Sequence, residues 1–308
     1  MKLPLSKAIT TTFAYLTEEF LTWLKILWLP VLLLQTAMIA IMPKYMTLSL
    51  DIMELGDDAD PSVIFSMLGP IFLWMGILAL LSVVIYAIGY SGVFRHISRG
   101  EVPSTPFYLQ FGADEGRVIL TMVLGVLLLM VVYLGGALAL TATTAVLTTV
   151  AGAIGGIIAF FLMIGFLVGV VWFYLRLSLI LPAAVAEKSI GIAPSWATTK
   201  GNTWALFAYW LLWFIVIMFF ASAYSIVAMP DYFSLLGEMI AAGENEAEVD
   251  RINIEMTKQS MAMYDISNPR FALLALATYI YSLAVFAVTT VASGVAYWFL
   301  TDKRAVTE

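Results

Sequence analysis

The feature that most restricts this chain is a series of apolar runs of about 20 residues or more, the length an α-helix needs to cross about 30 Å of hydrocarbon. Six such runs are expected: Phe20 to Met42, Ile71 to Phe94, Val118 to Leu140, Ala151 to Leu175, Trp204 to Met229 and Phe271 to Leu300. In a bilayer each backbone N–H and C=O must be paired within the protein, so helices are the natural spanning elements. The alternating pattern of a membrane barrel is absent. Hydrophobic residues make up 62% of the 308 and charged residues 12%, far from the composition of a soluble domain. The expected fold is all-α: one integral membrane domain over residues 1–308, a polytopic transmembrane helical bundle of six spans in three hairpins with cytoplasmic interfacial helices.

Charge orients the bundle. One side receives the amino terminus, Arg95 to Arg117, Arg176 to Lys200 and the carboxyl terminus, and holds 11 of the 15 Lys and Arg. The other side holds Lys44, Arg251, Lys258 and Arg270 together with 13 of the 21 acids. The excess of Lys and Arg on cytoplasmic loops then places both termini in the cytoplasm of a bacterial-type inner membrane. No cleavable signal peptide is expected at the amino terminus, because the apolar part of Met1 to Pro30 continues into a full span. Two broad outer loops are expected, Pro43 to Pro70 and Pro230 to Pro269. The second has short amphipathic helices at Tyr232 to Ala242 and Val249 to Met263. The uncharged link TATTAVLTTV between the third and fourth runs is expected to be a short outer turn.

Several chemistries are excluded. The chain has no cysteine, which removes disulfides and thiolate chemistry, and its only histidine is His96, which removes a multi-histidine metal centre. No metal or other cofactor is expected. The net charge of −6 argues against nucleic acid as a partner. No charge stands clearly at the middle of a span, where ion pathways often carry one. Gln35, a rare polar group within a span, is expected to face protein. The acids Asp57, Asp58 and Asp60 lack the twelve-position pattern of a calcium loop and are expected to be a solvated turn. Asp114, Glu115 and Arg117 could form a small salt-bridge cluster at the start of the third span, with a solvated helix start as the expected reading, and Glu18 or Glu19 could pair with Arg95 or Arg117.

The spans share edges. Those that would leave the cytoplasm begin TFAYLTEEFLTWLKILWL, FYLQFGADEGRVILTMVL and SWATTKGNTWALFAYWLL; those that would return end GYSGVFRHISR, VGVVWFYLRLS and SGVAYWFLTDK. Three pseudo-repeats follow, 1–100, 101–190 and 191–308, each a hairpin preceded by an interfacial helix.

The stretch VVWFYLRLSLILPAAVAEKSIGIAPSWATTKGN places Arg176, Pro182, Glu187, Lys188, Ser195, Trp196, Thr199, Lys200, Gly201 and Asn202 between two apolar runs. Arg176 is expected to lie along hydrocarbon by its stem and reach water or phosphate by its guanidinium. Pro182 should bend the chain. Ser195 should cap the following amides. Trp196 and Trp204 should rest at headgroup level. With Arg95, His96, Arg99, Arg117, Lys188 and Lys200, these are the candidate lipid-headgroup or interfacial residues.

Arg176, Pro182, Glu187, Ser195, Trp196, Thr199, Gly201 and Asn202 together resemble an element of YciC-like bacterial membrane proteins and of the membrane domain attached to some glycerophosphoryl diester phosphodiesterases. The resemblance implies a membrane domain without phosphodiesterase activity, since the paired histidines of the catalytic barrel cannot be supplied by His96. The function expected from all of this is that of a non-enzymatic accessory or scaffold protein. Its partners would be membrane lipids and an integral membrane protein or a second copy of itself. The alternative is a transporter or flippase for a lipid or hydrophobic solute.

Overall fold

A computed structural model describes residues 2–55, 60–243 and 245–301, the side chain of Glu54 excepted. Asp57, Asp58, Glu244 and the segment 302–308, on which sequence expectations were placed, lie outside the described residues. The elements are α1 (Leu5–Glu18), α2 (Phe20–Leu55), α3 (Pro61–Arg99), α4 (Ala113–Leu177), α5 (Ile180–Ala186), α6 (Ile192–Thr198), α7 (Thr203–Ala228), α8 (Tyr232–Ala242), α9 (Glu246–Ala262) and α10 (Phe271–Thr301). Five helical stretches among them are long and apolar enough to cross a membrane. The chain is therefore a polytopic, all-α membrane protein.

The expected outer loop from Pro43 to Pro70 is mostly helix. α2 continues through Pro43 to Leu55, and α3 begins at Pro61 with Pro70 inside it. Asp60 starts α3 by accepting a hydrogen bond from the Ser62 N–H at 2.8 Å, and Pro61 fits the first helical position because its missing N–H would have no intrahelical partner there. The prolines within α2 are accommodated without ending it, as they are in helices whose neighbours re-satisfy the backbone. Of the two amphipathic helices expected between Pro230 and Pro269, α8 has the expected bounds and α9 starts three residues earlier than expected, where the Asn245 side chain caps it.

The turn between the third and fourth apolar runs also lies elsewhere than expected. Residues 141–150 are helical, and their threonines bond to their own helix: the Thr143 hydroxyl donates to Ala139 O at 2.7 Å and that of Thr149 to Ala145 O at 2.7 Å. The break comes at Gly152, whose φ of 52° and ψ of −127° are not helical and suit a residue without a Cβ. A straight helix of 65 residues would be about 98 Å long. Instead the chain doubles back. A Cβ added at Gly155 would overlap the Leu147 carbonyl, Gly136 lies against the Phe166 ring, and the Tyr133 and Phe166 ring centroids are 6.3 Å apart. Contacts between residues 30 or more apart in sequence exist only if the two arms of α4, residues 113–151 and 153–177, run antiparallel.

The core centres on α10. Its carboxyl-terminal half, from Phe286 to Leu300, is buried almost throughout, against α1, α2, α3 and α7. The Tyr209 hydroxyl of α7 donates to Ala292 O at 2.9 Å and lies 2.8 Å from the Thr12 hydroxyl of α1, so one buried phenol ties three helices. Gln35 is buried, as expected of a polar residue within a span. The segments leading into the hairpins differ. α1 precedes α2, the two seven-residue helices α5 and α6 precede α7, and residues 100–112 before α4 are not helical. A short helix thus precedes two of the three expected hairpins.

Candidate functional site

Most of the sequence-predicted site residues gather at one end of the bundle, where α1, α5, α6, the end of α3 and both ends of α4 meet. They form two separate polar assemblies.

The first joins α3 to α4. Arg95 and Arg99 are four residues apart and share one face of the last turns of α3, while Asp114 and Glu115 occupy the first turn of α4. Cations at a helix carboxyl end and anions at an amino end both complement the helix dipoles. The Arg95 guanidinium donates to Glu115 Oε1 at 2.5 Å, to Asp114 Oδ2 at 3.3 Å and to the Tyr108 hydroxyl. Arg99 donates to Asp114 Oδ2 at 2.9 Å and to Val185 O, which brings α5 into the assembly. Arg117 donates to Asp114 Oδ1. Glu101 stands 3.8 Å from Arg95 and 3.6 Å from Arg99. The Gly112 N–H donates to Glu115 Oε2 at 2.8 Å, which satisfies an amide that the start of α4 would otherwise leave orphaned. Three guanidinium groups thus face three carboxylates.

This overturns the expected solvated helix start. Glu115 is 0% exposed and Asp114 8%, and Arg95 is 5% exposed. Burying such charges is costly unless each is paired and hydrogen-bonded, and here they are. The donors of Arg95 and Arg99 are taken up by internal partners rather than turned outward to a headgroup. His96 sits at the edge, with Nε2 3.6 Å from Glu19 Oε2 and Nδ1 3.0 Å from Glu101 O, so Glu19 faces His96 and not Arg95 or Arg117. The Tyr15 ring lies tilted against His96, with centroids 5.5 Å apart. Burial, with the charge of Glu19, pushes the Tyr15 hydroxyl above its ordinary range, and burial does the same to Tyr108.

The second assembly brings together Arg176, Ser195, Trp196 and Thr199, four residues that the sequence spaces across a turn. Helix α4 ends at Leu177, where its last carbonyls have no intrahelical donors. The hydroxyls of Ser195 in α6 and of Thr199 just past its end both donate to one of them, Arg176 O, at 2.9 and 3.2 Å. In return the Arg176 guanidinium donates to Trp196 O near the end of α6. Each helix therefore caps the other. Ser195 lies inside α6, which begins at Ile192, and so does not cap the amides that follow it. The guanidinium is not extended to water: Arg176 is 5% exposed, and its Cζ lies 4.6 Å from the Trp196 ring centroid and 5.9 Å from that of Trp172. Its Nε is buried without a hydrogen-bond partner.

The remaining motif residues each hold a different element. Pro182 lies in the first turn of α5, just past the break at Ser178 and Leu179, so it starts a helix and does not bend one. Glu187 accepts a hydrogen bond from the buried Tyr297 hydroxyl of α10 at 2.9 Å. Asn202 accepts one from the Leu3 N–H at 2.8 Å, across 199 residues of sequence. Gly201 has a φ of 79° and ends the turn before α7. Lys188, Lys200 and Trp204 are exposed, Trp204 by 81%. No group of acids and histidine that could hold a metal ion occurs among the described residues.

Asp114, Glu115, Tyr108 and Tyr297 were not among the predicted site residues. The available signal was Arg95 and Arg99 at helical spacing followed by two adjacent acids within one short connection. Comparison with protein-family models, with curated protein sequences and with solved structures gives no match.

Replacing both hydroxyl donors, Ser195→Ala with Thr199→Val, should destabilise the protein by about 2 kcal/mol, since two buried hydrogen bonds are lost and the Arg176 carbonyl is left unpaired. The check is the unfolding midpoint in a detergent titration. An unchanged midpoint would show that the two helices do not depend on this cap.

Proposed function

We propose that this polytopic membrane protein is a non-enzymatic accessory or scaffold protein of a bacterial-type inner membrane, one that interacts with lipids and with an integral membrane protein. The observation that carries the proposal is the contrast along α4. Its two ends are locked into the bundle by buried polar contacts, while its middle presents apolar side chains outward on both arms: Val131, Leu138, Phe161 and Val168 are all well exposed. Apolar surface of this extent has to be covered by lipid or by another apolar helix. The polar groups at the locked end support a holding role, because they pair with one another. The YciC-like resemblance of the Arg176 to Asn202 element agrees with a membrane domain of this kind.

The topology that fits this function has six crossings in three hairpins, with α2 and α3, the two arms of α4, and α7 and α10 as the pairs. Both chain ends are then cytoplasmic, and the turn at Gly152 lies on the same face as α8 and α9. The chain has no native cysteine, so single cysteines report cleanly. Val150→Cys and Glu246→Cys should react with a membrane-impermeant maleimide in intact cells, and Lys188→Cys only after permeabilisation. Reaction of Lys188→Cys in intact cells would reverse the orientation, and protection of Val150→Cys alone would remove the extra pair of crossings.

For the function itself, native mass spectrometry after gentle extraction should find the chain in a stoichiometric complex with another membrane protein and with bound lipid. A lone chain that moves lipid between leaflets of a reconstituted vesicle would replace the scaffold proposal with the transporter alternative.

A further inference from the structure

An apolar groove of about 580 Å³ opens between the second arm of α4 and the start of α7, lined among others by Val168, Val171, Trp172, Leu175, Trp204 and Phe207. In the hydrocarbon layer such a groove cannot hold ordered water, since its walls offer almost no polar partners. One end of it is different. Gly201 and Thr203 belong to its lining, the exposed Lys200 adjoins them, and Trp172 is shared with the aromatic cover of Arg176.

That end carries uncompensated positive charge. The arginines of the α3–α4 assembly each face a carboxylate, whereas neither Arg176 nor Lys200 has an acid within ion-pair distance among the described residues. The Nε of Arg176 is buried and unpartnered. The start of α7 adds to this, because Asn202 turns its side-chain oxygen to Leu3 and makes no side-chain cap on α7. The first amides of α7 are therefore left as donors at the positive end of a 26-residue helix.

We infer that this groove binds one anionic phospholipid, with an acyl chain against Val168, Val171 and Phe207 and the phosphate at Lys200 and the start of α7, within the field of Arg176. The inference rests on the proposed lipid interaction and assigns it a place. Trp172 and Trp204 flank the transition between the two halves of the ligand, where indoles are favoured because one edge is apolar and the N–H can reach water. The aromatic cover also explains how Arg176 keeps its charge so close to hydrocarbon: the two indole faces and the Trp196 carbonyl hold the guanidinium while the phosphate supplies the missing counter-charge.

The test is native mass spectrometry of the full chain titrated with phosphatidylglycerol and, separately, with phosphatidylcholine. The wild type should retain one phosphatidylglycerol at about tenfold lower lipid concentration than phosphatidylcholine, the factor expected of a charge-assisted phosphate contact. Lys200→Gln and Arg176→Gln should each reduce that preference. Val171→Trp, which fills the groove from an exposed position, should remove the retained lipid whatever its headgroup. Its melting temperature in detergent should match that of the wild type. Retention of phosphatidylglycerol by a folded Val171→Trp variant, equal retention of the two lipids by the wild type, or a second copy of the chain occupying the groove would each overturn the site. The first of these would leave the broader lipid interaction standing; a wild type that retains no lipid at all would remove both.

Discussion

Two carboxylates in the first turn of α4, held by three arginines, are the constraint on which the rest of this structure depends. Asp114 and Glu115 lie where α3, α4 and α5 meet, and Arg99 extends their network to the Val185 carbonyl. A buried charge without its partner is worth several kcal/mol of instability, far more than an exposed ion pair contributes. The assembly therefore acts as a bracket with one permitted geometry. It fixes where α4 starts relative to the end of α3, and so fixes the direction in which the α4 arms leave the bundle. Whether such a bracket adds net stability over an apolar replacement is a separate matter, because desolvation offsets much of the attraction. Its clearest effect is on position.

From that bracket the remaining contacts follow in order. The first arm of α4 leaves, the chain turns at Gly152, and the end of the second arm is caught by Ser195 of α6 and by Thr199 just past it. Helix α6 then leads through Gly201 into α7, and Tyr209 of α7 joins α1 and α10. Asn202 and Glu187 tie the same turn to the amino-terminal segment and to α10. One end of the molecule thus gathers the polar contacts that join its helices. Elsewhere the helices are joined by single hydrogen bonds, Tyr224 to Thr278 and Tyr279 to Trp28 O, and a groove lies between α4 and α7. A protein built this way is rigid where its polar connections lie and open to lipid or to other helices where its apolar surfaces lie.

Much of this was legible from residue type alone. The apolar runs announced the long helices because the bilayer imposes a length; Arg176, Ser195, Trp196 and Thr199 stood out between two runs, but as residues facing water and headgroups, and their contact with one another was not legible. The reversal of α4 was placed in the threonine-rich link, but those threonines satisfy their own helix, and the turn waits for a glycine that can adopt φ of 52°. The helical continuation of α2 beyond Pro43 was hidden because a proline and nearby acids usually mark a loop. Asp114 and Glu115 looked solvated because adjacent acids at a helix start generally are. Their burial depends on Arg95, Arg99 and Tyr108 converging from another element, and convergence of that kind is a property of packing that spacing does not encode. The same holds for Asn202 and Leu3, which meet across almost two thirds of the chain.

The most direct test of the bracket is a double-mutant cycle on Arg95 and Glu115, read as unfolding free energy in a detergent titration. Glu115→Leu alone leaves Arg95 with only part of its counter-charge and should cost about 3–5 kcal/mol. Arg95→Met with Glu115→Leu removes both charges and should recover most of that loss. A Glu115→Leu protein as stable as the wild type would mean that the buried pair does not hold α3 and α4 together.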